Sequence, residues 1–195
     1  MELVKRGAKR QFVHFENVCE DFRDWARGKM PRDNQAWHNQ YFKEHNLLRV
    51  ECGGKGNCFY HVCAFLLNMF LPQICGSNMD HISLRNATVN HLRTHHEVIE
   101  SGHGPVSLLL NGAGDCSNDD ASTNAIVAAY CDKNCKVGEY VEDPCVLSFA
   151  HLMEIQIKVH HTRLPEVHNY NSAGASVGSL TLWCDGHHYQ VTLPK

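Results

Sequence analysis

Residues 53–63 of this chain read Gly-Gly-Lys-Gly-Asn-Cys-Phe-Tyr-His-Val-Cys. This glycine-rich loop leads into Cys58, which opens an apolar run that we expect to be helical to about Phe70. A helix start presents unpaired N–H groups and the positive end of the helix dipole, and both favour a thiolate. The residues alone leave two interpretations open: a catalytic thiol, or a loop followed by a buried helix that contains cysteines.

The composition is typical of one globular domain. The chain has 195 residues, of which 43% are hydrophobic and 20% charged, enough for a single packed core. The net charge of −3 gives no sequence-wide basic field for nucleic acid, and no apolar run is long enough to span a membrane. Charged residues also interrupt the N-terminus where a signal peptide would be apolar. We therefore expect a soluble protein without nucleic-acid or membrane partners, and we take a cytoplasmic monomer as the default.

The sequence contains 10 cysteines and 15 histidines, which raises the question of metal binding. Cys131 and Cys135, with Cys116 and Cys145 nearby, could form a site, but their spacing differs from the tight pairs of structural zinc sites. The histidines are scattered, and we expect most of them at the surface. We predict reduced thiols, no metal and no cofactor, and we keep a metal-binding interaction module as a separate hypothesis.

Hydrophobic periodicity predicts helices and strands in alternation. The predicted helices cover residues 12–27, 35–44, 58–70, a segment capped by Asp80, 121–130 and 146–153. The predicted strands cover residues 47–50, 155–159, 179–184 and 188–193, with a polar connection over 165–178. The last two strands are separated by an Asp185-Gly186 turn, so they are expected to form a hairpin.

A second chemical feature lies in this hairpin, where His187 and His188 begin the final strand. A histidine held at a strand end can act as general base toward a thiol from elsewhere in the fold. Side chains alternate between the two faces of a strand, so only one of the two histidines can meet Cys58. A lone strand histidine is otherwise an ordinary polar residue at the edge of a sheet.

At these residues the sequence resembles the ovarian tumour (OTU) cysteine proteases. Residues 56–61, Gly-Asn-Cys-Phe-Tyr-His, resemble the family's Asp-Gly-Asn-Cys-Phe/Leu signature, and His188-Tyr189 resembles its closing histidine–aromatic motif. The run around Cys58 is most similar to viral members, such as the OTU domains of nairovirus-like polyproteins. The resemblance implies a single domain over residues 1–195, with N-terminal helices in 1–46 and a catalytic core in 47–195. It also implies a papain-like α+β fold whose small, mostly antiparallel sheet is packed between helices.

The resemblance further implies a deubiquitinase that hydrolyses isopeptide bonds at the C-terminus of ubiquitin or a ubiquitin-like modifier. Cys58 would be the nucleophile, and His188, which precedes the aromatic residue, would be the base. The backbone N–H of Cys58 and a loop amide near Lys55 or Gly54 would form the oxyanion hole. Trp183 could line the groove for the modifier's tail or be a buried hairpin residue.

Two positions depart from the family pattern. Lys55 stands where the family has an aspartate that shapes the loop, and Gln190 stands where it has Asn or Asp as third catalytic residue. We favour Gln190 as the residue that orients the histidine, with Asp185 or Glu51 as alternatives. These departures also motivate a second hypothesis, a catalytically weakened homologue that binds ubiquitin without cleaving it.

Overall fold

The computed structural model shows a mixed fold of helices and a central sheet. It describes residues 40, 43, 44, 46–50, 52, 54, 56–72, 79–101, 104–106, 110, 120–161, 167–171, 177–185 and 188–194. The side chains of residues 47–49, 120 and 192–194 lie outside this description. The N-terminal helices predicted over 12–27 and most of 35–44 also lie outside it.

The described segments contain four helices and seven strands in chain order. The helices are α1 (Cys58–Phe70), α2 (His81–His95), α3 (Asp120–Asn134) and α4 (Asp143–Met153). The strands are β1 (Leu47–Val50), β2 (Glu100–Ser101), β3 (Gly104–Pro105), β4 (Ile155–His161), β5 (Val167–Tyr170), β6 (Gly178–Asp185) and β7 (His188–Pro194). None of these helices is long and apolar enough to cross a bilayer.

The main sheet has the strand order β1-β7-β6-β4-β5. Its pairings are antiparallel except for β4 with β6, which run parallel. The short strands β2 and β3 form a separate antiparallel pair. The sheet is therefore mostly antiparallel, and the predicted α+β class is confirmed.

The helices bury one side of the sheet in a continuous core. Helix α1 packs against β7 and β6, α4 packs against β4 and β5, and α2 lies against α1, α3 and α4. On β4, Ile155, Ile157 and Val159 are fully buried and alternate with half-buried residues, as the period of a strand requires. Glu154 ends α4 in the left-handed conformation, which turns the chain directly into β4.

Local patterns predicted most of these elements. The predictions of the β6–β7 hairpin, of β1 and of both ends of α1 are confirmed. The predicted cap of α2 is confirmed as well: the carboxylate of Asp80 accepts hydrogen bonds from the N–H groups of Ile82 and Ser83. Helices α3 and α4 are longer than the predicted 121–130 and 146–153. The polar connection predicted over 165–178 is wrong at Val167–Tyr170, which form the edge strand β5. Only Tyr170 of β5 is buried, so its pairing with β4, rather than its own pattern, defines the strand.

Candidate active site

Cys58 is the first residue of α1, as the loop-to-helix pattern predicts. Its side chain is 2% exposed, and its Sγ accepts a hydrogen bond of 3.3 Å from the backbone N–H of Tyr189. Tyr189 follows His188, the first residue of β7. The structure therefore brings the thiol at the start of α1 next to the start of the strand that carries the predicted base.

The sheet leaves room for this contact because β1 ends early. Strand β1 pairs with β7 only as far as Val50, which lies opposite Val191. Strand β6 occupies one edge of β7, and the N–H of Tyr189 bonds to Cys58 instead, so this N–H points to the edge along which β1 pairs. Beyond the end of β1, the sulfur of Cys58 takes the place of a strand partner.

An aromatic cluster holds α1 against β7 at the same point. The ring of Phe59 lies 5.1 Å from the ring of Tyr189 and 5.5 Å from that of Phe149, both edge to face. The ring of Tyr60 lies 5.2 Å from Phe59 in the same geometry. Such contacts between buried rings stabilise a fixed relative position, so the residue after the cysteine ties the helix start to the strand.

His188, Gln190 and Asp185 share one face of the hairpin. His188 and Gln190 lie two residues apart on β7, so their side chains point to one face of the sheet and that of Tyr189 to the other. Asp185 of β6 is paired directly with His188 and therefore lies on the same face as His188. His188 is half-buried, and Gln190 is 4% exposed and lies opposite Trp183. Two of the three candidates for the third residue are thus neighbours of His188: Gln190 lies along the strand and Asp185 across it.

Trp183 is a buried residue of the sheet. It is 1% exposed, and its indole stacks on the imidazole of His160 with ring centres 5.1 Å apart. Of the two roles that the sequence allows Trp183, the structure shows the buried hairpin residue, not an exposed groove wall. His160 and His96 are buried as well, so the expectation of surface positions does not hold for these two histidines.

Several predicted site residues lie outside the described part of the chain. They are Lys55 of the proposed oxyanion hole, His187 as the alternative base and Glu51 as a further candidate for the third residue. Gly54, whose amide is the other candidate oxyanion donor, is described and exposed.

The turn before Cys58 is held by side-chain contacts from distant segments. Gly56 has a φ of +82°, and a Cβ there would collide with the carbonyl group of Gly138. The side-chain oxygen of Asn57 accepts from the backbone N–H of Gly138 at 3.1 Å and from Nη2 of Arg85 at 3.0 Å. Asn57 therefore links the loop before Cys58 to both α2 and the turn after α3.

Sequence reasoning did not identify Arg85 or Gly138 as parts of this site. Arg85 lies four residues before Val89 and seven before Leu92, so helical spacing places it on the buried face of α2. This spacing is the signal that could have identified it, although a charged residue is seldom fully buried. The contact depends on two loops 29 and 54 positions away in sequence.

Two further buried thiols, Cys63 and Cys184, lie near Cys58. Burial, followed by the proximity of Cys58, raises the pKa of Cys63 well above its usual value. Burial, then Cys58 and then Asp185 raise the pKa of Cys184 to about 12. Both thiols stay protonated at neutral pH, so neither is a candidate nucleophile.

The cysteines considered for a metal site do not converge in the described segments. Cys131 is buried and donates to the carbonyl of Val89, whereas Cys135 is exposed and donates to the carbonyl of Asp132. Within the described residues, no group of three or more His, Cys, Asp or Glu side chains could hold a metal ion. Cys116 lies outside these residues.

Comparisons with known proteins bear on the fold. No protein-family model and no curated protein matches the sequence. Among solved structures, the OTU domain of OTUD1 matches with a TM-score of 0.52 and 17% identity, over 82% of this chain and 94% of that domain. The viral OTU domain protease from Farallon virus matches with a TM-score of 0.54 and 13% identity, over 75% and 83%. The chain therefore has the fold of OTU domains, which confirms the resemblance at the level of the fold.

Proposed function

We propose that this protein is a thiol-dependent deubiquitinase that hydrolyses isopeptide bonds at the C-terminus of ubiquitin or a ubiquitin-like modifier. One observation carries the proposal: on an OTU fold, the sulfur of Cys58 lies 3.3 Å from the backbone nitrogen of Tyr189, the residue after His188. A thiol at a helix start and a histidine at a strand start are the two reacting groups of a papain-type mechanism.

In the proposed mechanism, His188 accepts the proton of the Cys58 thiol, and the thiolate attacks the carbonyl carbon of the modifier's C-terminal glycine. The developing oxyanion accepts hydrogen bonds from the N–H of Cys58 and from an amide at Gly54 or Lys55. One such donor contributes about 3 kcal/mol in comparable enzymes. The lysine amine leaves with the proton of His188, which yields a thioester at Cys58. Water, deprotonated by His188, then hydrolyses the thioester and regenerates the thiol.

Gln190 is the proposed residue that orients His188, with Asp185 as the alternative. Because Gln190 lies on the same strand face two residues on, its amide oxygen can accept the second imidazole N–H. Since the Farallon virus protease has the same fold, we extend the proposal to a viral enzyme that acts on ubiquitinated host proteins in the cytoplasm.

The proposal is tested with ubiquitin and ubiquitin-like modifiers that carry a C-terminal electrophile. We expect a covalent adduct whose mass maps to Cys58, and loss of the adduct in Cys58→Ala. The matched control is Cys135→Ala, which removes an exposed thiol and should leave capture unchanged. Absence of an adduct with every modifier, or an adduct that survives Cys58→Ala, would refute the assignment.

Gln190 and Lys55 favour one second candidate, a homologue that binds ubiquitin without cleaving it. A panel of ubiquitin chains and ubiquitin-like fusions separates the two functions. The proposed enzyme cleaves at least one substrate and loses that activity in His188→Ala. The second candidate binds ubiquitin in a titration but cleaves no member of the panel.

A further inference from the structure

We propose that Arg85 is a positioning residue of the active site. It holds the turn Gly54–Asn57 in place and thereby positions the backbone N–H groups that donate hydrogen bonds to the oxyanion. This inference rests on the proposed function and adds a residue to it. Arg85 is 1% exposed, although it belongs to α2 and lies 28 positions after Asn57. Burying the charge of a guanidinium is unfavourable unless its contacts offset the lost hydration.

The contacts of Arg85 converge on the loop that precedes the nucleophile. Nη2 donates to the backbone carbonyl of Gly56 at 2.8 Å and to the side-chain oxygen of Asn57 at 3.0 Å. A peptide group is planar, so holding the carbonyl of Gly56 also fixes the opposite-pointing N–H of Asn57. That N–H closes the turn on the carbonyl of Gly54 at 3.4 Å. Arg85 therefore orients the peptide between Gly56 and Asn57, which closes the turn.

The same guanidinium holds the segment that packs over this turn. Nη1 donates to the carbonyl of Asn134 at 2.8 Å, and Nη2 donates to the carbonyl of Glu139 at 2.7 Å. These two residues flank Gly138, whose N–H binds the side chain of Asn57. Arg85 thus connects the loop before Cys58 to the turn after α3 through a shared set of charge-assisted bonds.

The ring of Tyr60 completes the environment of the charge. The guanidinium carbon lies 4.7 Å from the centre of this ring, on the first turn of α1. The four hydrogen bonds from Arg85 go to neutral oxygens, three of them backbone carbonyls. The planar fork of arginine fits several fixed acceptors at once, whereas a lysine ammonium on a flexible stem does not.

The position of these contacts predicts a catalytic effect as well as a structural one. The proposed oxyanion donors are the N–H of Cys58, which directly follows the turn that Arg85 contacts, and an amide at Gly54 or Lys55 in the same stretch of sequence. In the family that the sequence resembles, an aspartate at the position of Lys55 shapes this loop. In this chain Arg85 of α2 binds the loop instead. Because oxyanion donors act mainly in the transition state, their misplacement lowers kcat more than it raises KM.

The test compares Arg85→Lys with Arg93→Lys in the full chain, on a fluorogenic ubiquitin substrate and in thermal unfolding. Arg93 lies on the same helix but is exposed and paired with Asp132, so its replacement is a matched control. We expect Arg85→Lys to lower kcat at least ten-fold with KM changed less than about three-fold, and Arg93→Lys to change neither.

A second variant, Asn57→Ala, removes the shared acceptor without touching the guanidinium. We expect it to lower kcat in the same way, and the double variant with Arg85→Lys to lose less than the product of the two single effects. If Arg85→Lys does not fold, Asn57→Ala alone decides the proposal. Unchanged kcat in the folded variants, with only the melting temperature lowered, would overturn the inference and leave the proposed function intact. A parent protein inactive on every modifier would overturn both.

Discussion

The sulfur of Cys58 and the backbone nitrogen of Tyr189 are joined by a hydrogen bond of 3.3 Å, although the two residues are 131 positions apart in sequence. This bond is formed at the edge of β7 just beyond the last residue pair with β1. It relates the start of α1 to the strand that begins with His188. The geometry of the site thus depends on how closely α1 and β7 are held together.

We predict that the ring of Tyr189 is needed for this relationship. Tyr189→Ala removes a buried ring that packs on Phe59, and we expect it to lower the free energy of unfolding by about 3 kcal/mol. We also expect slower capture of an electrophilic modifier, because β7 loses its contact with α1. Tyr189→Phe keeps the ring and should cost less than about 1.5 kcal/mol. Denaturant unfolding measures the stability of both variants, and the rate of adduct formation measures their capture of the modifier. If folded Tyr189→Ala captured the modifier as fast as the parent protein, the role assigned to the ring would be contradicted.

We predict opposite outcomes for alanine at two glycines of the same loop. Gly56 has a φ of +82° and faces the carbonyl of Gly138, so Gly56→Ala combines backbone strain with a collision. We expect a loss of at least about 2 kcal/mol in the free energy of unfolding. A Cβ at Gly54 meets no atom within 4 Å, so Gly54→Ala should stay within about 0.5 kcal/mol of the parent. Equal unfolding curves for the two variants would show that this turn is not closely packed.

The elements that the sequence predicts correctly are those whose signals are local. The alternation in β4, the Asp185-Gly186 turn and the apolar run after Cys58 each specify an element within about ten residues. The edge strand β5 has no such signal. It becomes a strand because β4 offers it backbone partners, which only the tertiary fold provides.

The same distinction applies to the site. Cys58 and His188 stand out in short motifs, because a helix start and a strand start are visible in sequence. Arg85 does not, since its burial requires the carbonyls of Gly56, Asn134 and Glu139 to meet around it. The predicted role of Gln190 comes from the family pattern, and the structure adds that it lies on the face of His188.

We predict that Gln190 contributes more to catalysis than Asp185. Gln190 is buried on the strand of His188, where it can hold one imidazole tautomer, whereas Asp185 lies across the hairpin beside the turn. Gln190→Ala should lower kcat about ten- to one-hundred-fold, by analogy with other groups that orient a reacting ligand or base, and Asp185→Asn less than about three-fold. Steady-state kinetics on a ubiquitin substrate check this. The reverse order of effects would identify Asp185 as the orienting residue.

A group of histidines distant from the site predicts how stability depends on pH. His91 of α2 lies 2.8 Å from His151 of α4, nitrogen to nitrogen, and its ring stacks on that of His95 at 4.2 Å. Burial, followed by His95 and His151, lowers the pKa of His91 from 6.5 to about 4. The unfolded chain therefore binds a proton at His91 before the folded protein does. Stability is lost as the pH falls below about 6.5, and the loss is complete near pH 4.

We expect His91→Gln to remove part of this pH dependence. Between about pH 7.5 and pH 5 the variant should lose less stability than the parent, by up to about 1 kcal/mol after allowance for solvent screening of a half-exposed ring. His95→Gln, which removes an exposed ring of the same group, should retain more of the parent's pH dependence. Denaturant unfolding at both pH values measures these differences. Other titrating groups, such as Asp80, contribute equally to the pH dependence of stability in all three proteins and cancel in the comparison. Identical losses in the parent and His91→Gln would show that His91 binds its proton equally well in the folded and unfolded chains.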